Sequence, residues 1–549
     1  MVNQIINRKQ KLHRFLFNSL FLATISTILT TIPVGAAEKI YAAFGPLDFS
    51  VAVADLENFV QTGKVTPELK LLIKRLNSKQ KEELRIALQK SYDVKPLLLS
   101  QYFYTPMGEN VLRRAGKLIQ TEAGQNGMFA LRAALVLAAV EGDFTFIKVL
   151  KKFPTSGIRI NTSETIKTLK EIADVFSDTK KTIAQINKLS KAEIAAAPSI
   201  DYDTLPDIRT LGSVKYSSQT IYLKDTSRNR KYPVDLYLPP ANSNSQEKIP
   251  VVVISHGFGD SPSSFTELAK FLASYGFAVA LPEHIGSNFA QQEATLAGRG
   301  RELFRLNEFV DRPLDVTFLL NYLEGLNQSD FQGRLNLKKV GVIGHSFGGY
   351  TALMLGGATV DFQQLMRDCE QDSWNLSSLL QCRAEEFKPA SVQRKLLSQG
   401  LRDSRIQLVI TLNPVSSIVL GKGLSRIQVP VVMGSAGYDP ATPVVEEQIR
   451  AFNWLQTPNK YLVLADGFSH TTELTSLLNN LLYSPSTSAR LEDDVKIFQQ
   501  NARTMMLAFL QVYIAERSQY LPYIQPAYAQ FISKSPFDFS MVRSLQPKE

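Results

Sequence analysis

The chain has 549 residues, 44% of them hydrophobic and 20% charged, which excludes a disordered or collagen-like protein and leaves room for more than one domain. The net charge of +10 is milder without residues 1–37, which hold Arg8, Lys9, Lys11 and Arg14 and no acid: the 61 basic residues less those four leave 57, against 51 acidic ones. With no long basic block, nucleic acid is not an expected partner, while peripheral contact with an anionic membrane surface stays open.

Residues 1–37 have the layout of an export signal. A basic segment ends at Arg14, Phe15 to Ile32 is apolar, and Val34-Gly35-Ala36-Ala37 offers small residues for cleavage. Tyr41-Ala42-Ala43 is a second option for the cut. The alternative is an uncleaved anchor, because the apolar run is long enough to reach across a bilayer. The remainder is expected to be exported, to a periplasm or the medium. Cys369 and Cys382 fit that compartment as a disulfide; the alternative is two buried thiols. No Cys/His spacing suits zinc, and no metal or cofactor is expected.

Residues 38–163 read as an all-helical accessory domain. Helical spacing covers 51–62, 67–77, 79–90, 107–120 and 127–139, and the apolar Leu131 to Ala139 needs a neighbour to cover it. The segment contains no histidine or cysteine, and no catalytic cluster. Residues 164–205 read as a helical linker, either one helix or a pair, closed by Pro198 and Pro206.

From about 206 the pattern becomes alternating strands and helices, which predicts an α/β domain over 206–520: a mostly parallel sheet with helices on both faces. Stretches 219–223 and 232–238 read as a leading hairpin. Runs 249–255, 277–281, 340–344, 406–412, 430–434 and 461–464 read as buried strands. An insertion, 358–403, carries both cysteines and Trp374 and is placed to cover a pocket. The tail, 521–549, is aromatic and is expected to pack back on the body.

Within the α/β domain, Val340 to Tyr350 is an apolar strand, then Gly344-His345-Ser346-Phe347-Gly348, then a helix. Strand, sharp turn and helix are the context in which G-x-S-x-G presents a serine nucleophile. Such a serine needs a base. Of the five histidines, His13 lies in the signal, His256 and His284 precede Ser346, and His345 is fixed beside it with its ring expected to point away. Only His470 follows Ser346, in the order this strand–elbow–helix arrangement requires. The acid is expected between them: Asp439, in a loop after a strand, is preferred over Asp466 and over Asp361, Asp368, Asp372 and Asp403 of the insertion region. His256-Gly257-Phe258-Gly259 follows another strand, and the amides of Phe258 and Phe347 are expected to form an oxyanion hole. His256, Gly257 and Phe468 are expected to line the substrate pocket.

These stretches, with Pro282-Glu283-His284-Ile285-Gly286-Ser287-Asn288, Arg312-Pro313-Leu314-Asp315-Val316 and Asp466-Gly467-Phe468-Ser469-His470, resemble the α/β-hydrolases. Within them they are similar to the bacterial proteins grouped with platelet-activating-factor acetylhydrolase and dienelactone hydrolase. The latter has a cysteine nucleophile where this chain has Ser346, so the resemblance implies ester substrates, lipid esters included. The first domain, with Phe44-Gly45-Pro46-Leu47 and Tyr104-Thr105-Pro106-Met107-Gly108, resembles an uncharacterised domain found ahead of such hydrolases. A serine peptidase or amidase on the same triad, and a non-catalytic binding scaffold, are the alternatives.

Overall fold

The computed structural model describes residues 36–546 apart from 45–46, 75, 241–247, 372–374 and 472–487. The expected export signal falls almost wholly outside the described residues, as do Asp372 and Trp374. No described helix is long and apolar enough to cross a membrane.

The chain divides into two compact units: Met1–Phe103 with Val111–Ile166, and Tyr104–Asn110 with Lys167–Glu549. The first is mostly helical but not the all-helical domain expected. Its helices include Val53–Thr62, Pro67–Ile73, Ser78–Gln89 and Met128–Val140. Local chemistry starts two of them: Thr66 accepts the Leu69 amide, and Asn77 and Gln80 form a reciprocal capping box. Ala134 and Ala138 of the apolar helix are fully buried. The unit also holds a four-stranded sheet that helical periodicity did not reveal: β1 (Lys39–Phe44), β2 (Leu47–Ala52), β3 (Ile119–Thr121) and β4 (Gly157–Ile160), in the order β2-β1-β4-β3. These strands are too short to establish an alternating pattern, and β1 pairs in parallel with β4 from the far end of the unit.

The second unit is built on a nine-stranded sheet. Its strands are β5 (Ser217–Asp225), β6 (Arg230–Leu238), β7 (Ile249–Ser255), β8 (Ala278–Pro282), β9 (Leu335–His345), β10 (Ile406–Leu412), β11 (Val431–Ala436), β12 (Lys460–Ala465) and β13 (Phe539–Val542). The spatial order is β13-β12-β11-β10-β9-β7-β8-β6-β5. The run from β12 through β10, β9 and β7 to β8 is parallel; the β5–β6 hairpin and β13 are antiparallel. All seven residues of β7 are buried, because helices cover both faces. Helices Glu308–Ser329 and Phe347–Gly356 pack on one side, and Thr266–Ser274 and Ser488–Tyr513 on the other.

The tail does more than pack back: β13 extends the sheet. Its outer edge is then covered by the 35-residue helix Thr162–Ala196. There Asn187 Oδ1 accepts the Ser540 hydroxyl at 2.7 Å, Ser190 Oγ accepts the Met541 amide at 3.3 Å, and Glu193 accepts the Arg543 amide at 3.1 Å. An edge strand so occupied is closed to pairing with another chain. The insertion holds helices Phe362–Cys369 and Val392–Gln399, and Cys369 and Cys382 are joined in a disulfide. Glu447, wholly buried, accepts the amides of Ser416 and Ser417 at 3.1 Å each. It also accepts Asn375 Nδ2 at 3.0 Å, Gln381 Nε2 at 2.7 Å and the Ser377 hydroxyl. One carboxylate thus fastens the insertion to the segment after β10.

Candidate active site

Parallel strands present their carboxyl ends at one rim, and five successive loops there bring the chemistry together: His256 follows β7, Ser346 β9, Asn413 β10, Asp439 β11 and His470 β12. Ser346 sits at φ 54°, ψ −116°, a strained conformation for a residue with a side chain. Its backbone is held by Ser346 N to Leu412 O at 2.9 Å and Val415 N to Ser346 O at 3.0 Å. The flanking glycines are obligatory. A Cβ on Gly344 would fall 2.0 Å from Gly348 O, and one on Gly348 2.0 Å from Ser255 O. The helix Phe347–Gly356 begins directly under the serine, with the Phe347 amide at its head, among the amides that lack an intrahelical acceptor.

His470 Nδ1 donates to Asp439 Oδ2 at 2.7 Å. Asp439 is otherwise filled: its Oδ1 accepts the amides of Ala441 and Thr442 at 2.8 and 2.9 Å, and Oδ2 also accepts the Thr442 hydroxyl at 2.7 Å. This carboxylate is therefore fixed in one orientation, with His470 as its outer partner. Asp466, the rival acid, instead accepts the amide of its neighbour Gly467 at 2.8 Å, and burial raises its carboxyl above the usual range. Among the described residues, His470 bonds to Asp439 and not to the Ser346 hydroxyl.

His345, whose ring the sequence suggested would point away from Ser346, turns it to the loop that carries the base. Its Nε2 donates to His470 O at 3.0 Å and the two rings lie 4.9 Å apart. Burial, then the neighbouring His470, pulls the His345 imidazole down to about 4. Asn413 was also missed. At φ 45° it donates to His470 O at 3.4 Å and accepts the Ala436 amide at 2.7 Å, tying the base loop to β11.

Gly257 lies against the nucleophile: a Cβ there would stand 3.4 Å from Ser346 Cβ and 3.1 Å from His345 Nδ1. Gly257, the residue before Phe258, thus packs beside Ser346. The expectation that the His256 side chain lines a pocket is not met. It is 1% exposed; Nε2 accepts the His284 amide at 3.0 Å, and Nδ1 donates to Gly257 O at 2.8 Å. Burial holds His256 and His284 well below the ordinary histidine range, so both are neutral. The Phe347 ring is likewise in the core, against Phe304, Phe309 and Tyr350, so only its backbone faces the site. Phe468 stacks on Phe498 at 3.9 Å and lines an apolar cavity of about 150 Å³. That cavity runs between β10–β12 and the helix Ser488–Tyr513 and reaches His345 and His470.

Behind the His256 loop lies a network of buried charges. Glu308, Arg312 and Asp315, on one face of the helix Glu308–Ser329, are all fully buried. Asp315 takes Arg230 at 2.6 Å and Arg228 at 2.8 Å, and Glu308 takes Arg230 at 2.8 Å. Burial raises the Asp315 carboxyl and would lower Arg230, but Glu308 and Asp315 outweigh that and raise it. Phe309, Val310 and Val316 of the same helix are buried with them.

A family model described as alpha/beta hydrolase fold matches residues 250–367, the stretch from β7 through the elbow. A second, described as alpha/beta hydrolase of unknown function (DUF1400), matches 36–161. The second unit has the α/β-hydrolase fold. The hydrolase is similar to two curated proteins named platelet-activating factor acetylhydrolase. The one from Cavia porcellus is 28% identical over 148 residues, covering 21% of this chain and 34% of its own length. The one from Canis lupus familiaris is 28% identical over 174 residues, covering 25% and 38%. The match thus spans a little over a third of the relatives' length.

Proposed function

We propose that this hydrolase is an exported serine carboxylic-ester hydrolase acting on acyl or lipid esters. The observation that carries the proposal is the Asp439–His470 pair, 2.7 Å apart, on the same sheet rim as a serine in a strained elbow. In this reading the Ser346 hydroxyl attacks the ester carbonyl while His470 Nε2 takes its proton. Asp439 holds the tautomer that leaves Nε2 free and stabilises the imidazolium. The Ser346–His470 bond closes in the substrate complex, as contacts of this kind commonly tighten there. The amides of Phe258 and Phe347 receive the oxyanion. His470 then protonates the departing alcohol, and water releases the acyl group by the same route. An apolar cavity touching His470, and relatives named as acetylhydrolases of platelet-activating factor, support an acyl ester of a lipid-like alcohol. The disulfide is in keeping with export.

The test is a p-nitrophenyl ester panel of graded acyl length with phospholipids included, run on wild type and Ser346→Ala. Turnover and fluorophosphonate labelling, both lost in the variant, are expected. Turnover surviving in Ser346→Ala removes the proposal. Folded wild type that takes no label points to a binding scaffold instead.

A further inference from the structure

Arg312 is a buried charge that the catalytic scheme does not use. It is 0% exposed, and each of its nitrogens is committed. Nη1 donates to His256 O at 2.7 Å, Nη2 to Gly257 O at 3.1 Å, and Nε to Ser287 Oγ at 2.9 Å; Glu308 stands 3.6 Å from Nε. The guanidinium lies over the Phe347 ring, 4.4 Å from its centroid. Arg312 thus touches the loop that carries one proposed oxyanion donor and the side chain of the residue that carries the other.

The peptide geometry gives this contact a direction. In a trans peptide the carbonyl and the amide point opposite ways. The Gly257 carbonyl shares its peptide plane with the Phe258 amide, so holding that carbonyl aims the amide the opposite way, away from Arg312. Two donors hold it, Arg312 Nη2 and His256 Nδ1. The preceding carbonyl is held by Arg312 Nη1, and Gly259 N is held by Ser287 O at 2.8 Å. Gly286 leaves the space this needs, since a Cβ there would fall 2.3 Å from Glu308 Oε1. Glu308 in turn accepts the Ser287 hydroxyl at 2.7 Å and keeps that hydroxyl's oxygen turned to Arg312. A planar fork is required: a lysine ammonium in the same place is a point donor and cannot bracket two carbonyls while lying flat on a ring.

We propose that Arg312 is a positioning residue for the oxyanion hole, its fork fixing the 256–258 peptide planes and its face bracing Phe347, with Ser287 and Glu308 orienting it. The inference rests on the ester-hydrolase reading. Ser346→Ala tests that reading separately, because its turnover is lost whatever Arg312 does.

The experiment compares Arg312→Lys and Ser287→Ala with wild type in kcat, KM, pH profile and inhibition by phenylboronic acid, whose tetrahedral serine adduct occupies the oxyanion site. Arg312→Lys is expected to lower kcat about 100-fold, since a displaced donor of about 1 Å has that effect. KM should stay within about threefold, because ground-state binding is untouched. The boronate Ki should rise in proportion to the loss in kcat/KM, and the acid limb of the pH profile should not move, because Asp439 and His470 are not involved. Ser287→Ala should show a smaller loss on the same Ki-versus-kcat/KM line, and it alone carries the test if Arg312→Lys does not fold. A merely structural role predicts activity lost in proportion to folded protein, with kcat and Ki per folded molecule unchanged. That result, or a lost kcat with an unmoved boronate Ki, overturns the proposal.

Discussion

Replacing Asp439 by Asn tests the pairing on which the proposed chemistry turns. The carboxylate accepts four donors: two backbone amides on Oδ1, and the Thr442 hydroxyl and His470 Nδ1 on Oδ2. An asparagine must keep its oxygen toward the two amides, because its NH₂ group there would leave three donors facing one another. The NH₂ then faces His470 Nδ1, which must become an acceptor, and the ring proton moves to Nε2. That tautomer cannot take the Ser346 proton. Thr442 can redirect its hydroxyl to Asn413 O, 3.3 Å away, so the fold is kept. In a serine protease the equivalent loss costs about 10⁴ in kcat, which is about 5.4 kcal/mol of transition-state stabilisation. We expect kcat for p-nitrophenyl butyrate to fall about 10³- to 10⁴-fold, with the thermal midpoint within a few degrees of wild type. Asp466→Asn, the control, should stay within about threefold. Folded Asp439→Asn within tenfold of wild type would refute the assignment, and a large loss in Asp466→Asn alone would transfer the role.

Two further outcomes follow from the elbow and its neighbours. Gly348→Ala places a methyl 2.0 Å from one carbonyl oxygen and 2.8 Å from the next, both rigid backbone, so it should destabilise at or beyond the upper end of the roughly 1–3 kcal/mol seen for overpacking. Urea unfolding reads this, and unchanged stability would mean that the elbow is not built as described. The depressed His345 imidazole makes stability pH-dependent. Its ordinary value of 6.5 belongs to the unfolded chain and about 4 to the folded one, so the unfolded state gains the proton first. Stability is intact above about 6.5 and falls as the pH drops toward 4, by at most about 3 kcal/mol from this group. Burial of His256 and His284 acts in the same sense. His345→Gln should flatten the decline between pH 6.5 and 4; an equally steep decline in the variant would assign it elsewhere.

What could be read in advance divides along physical lines. β7 and β10 have the ends that their apolar runs predict, because both faces of each strand are buried and hydrophobicity marks the whole length. β9 begins at Leu335, five residues early, since Lys338 and Lys339 interrupt its run and a register shift accommodates them. β13 is four residues long and the β1–β4 sheet is assembled from distant short pieces, so neither has a period to detect. The pairing of His470 with Asp439 was legible because histidines are few and strand-end loops are countable. The placing of His345, Asn413 and Arg312 was not, because each depends on which strand lies next to which.

Glu447 bears on how far the insertion can move. Its five donors come from two separate pieces of chain, and the group has no route to water. Swinging the disulfide-bearing segment outward as a whole would strand a bare negative charge inside, at several kcal/mol by analogy with a broken interior ion pair. That segment is consequently held fixed against the chain that follows β10.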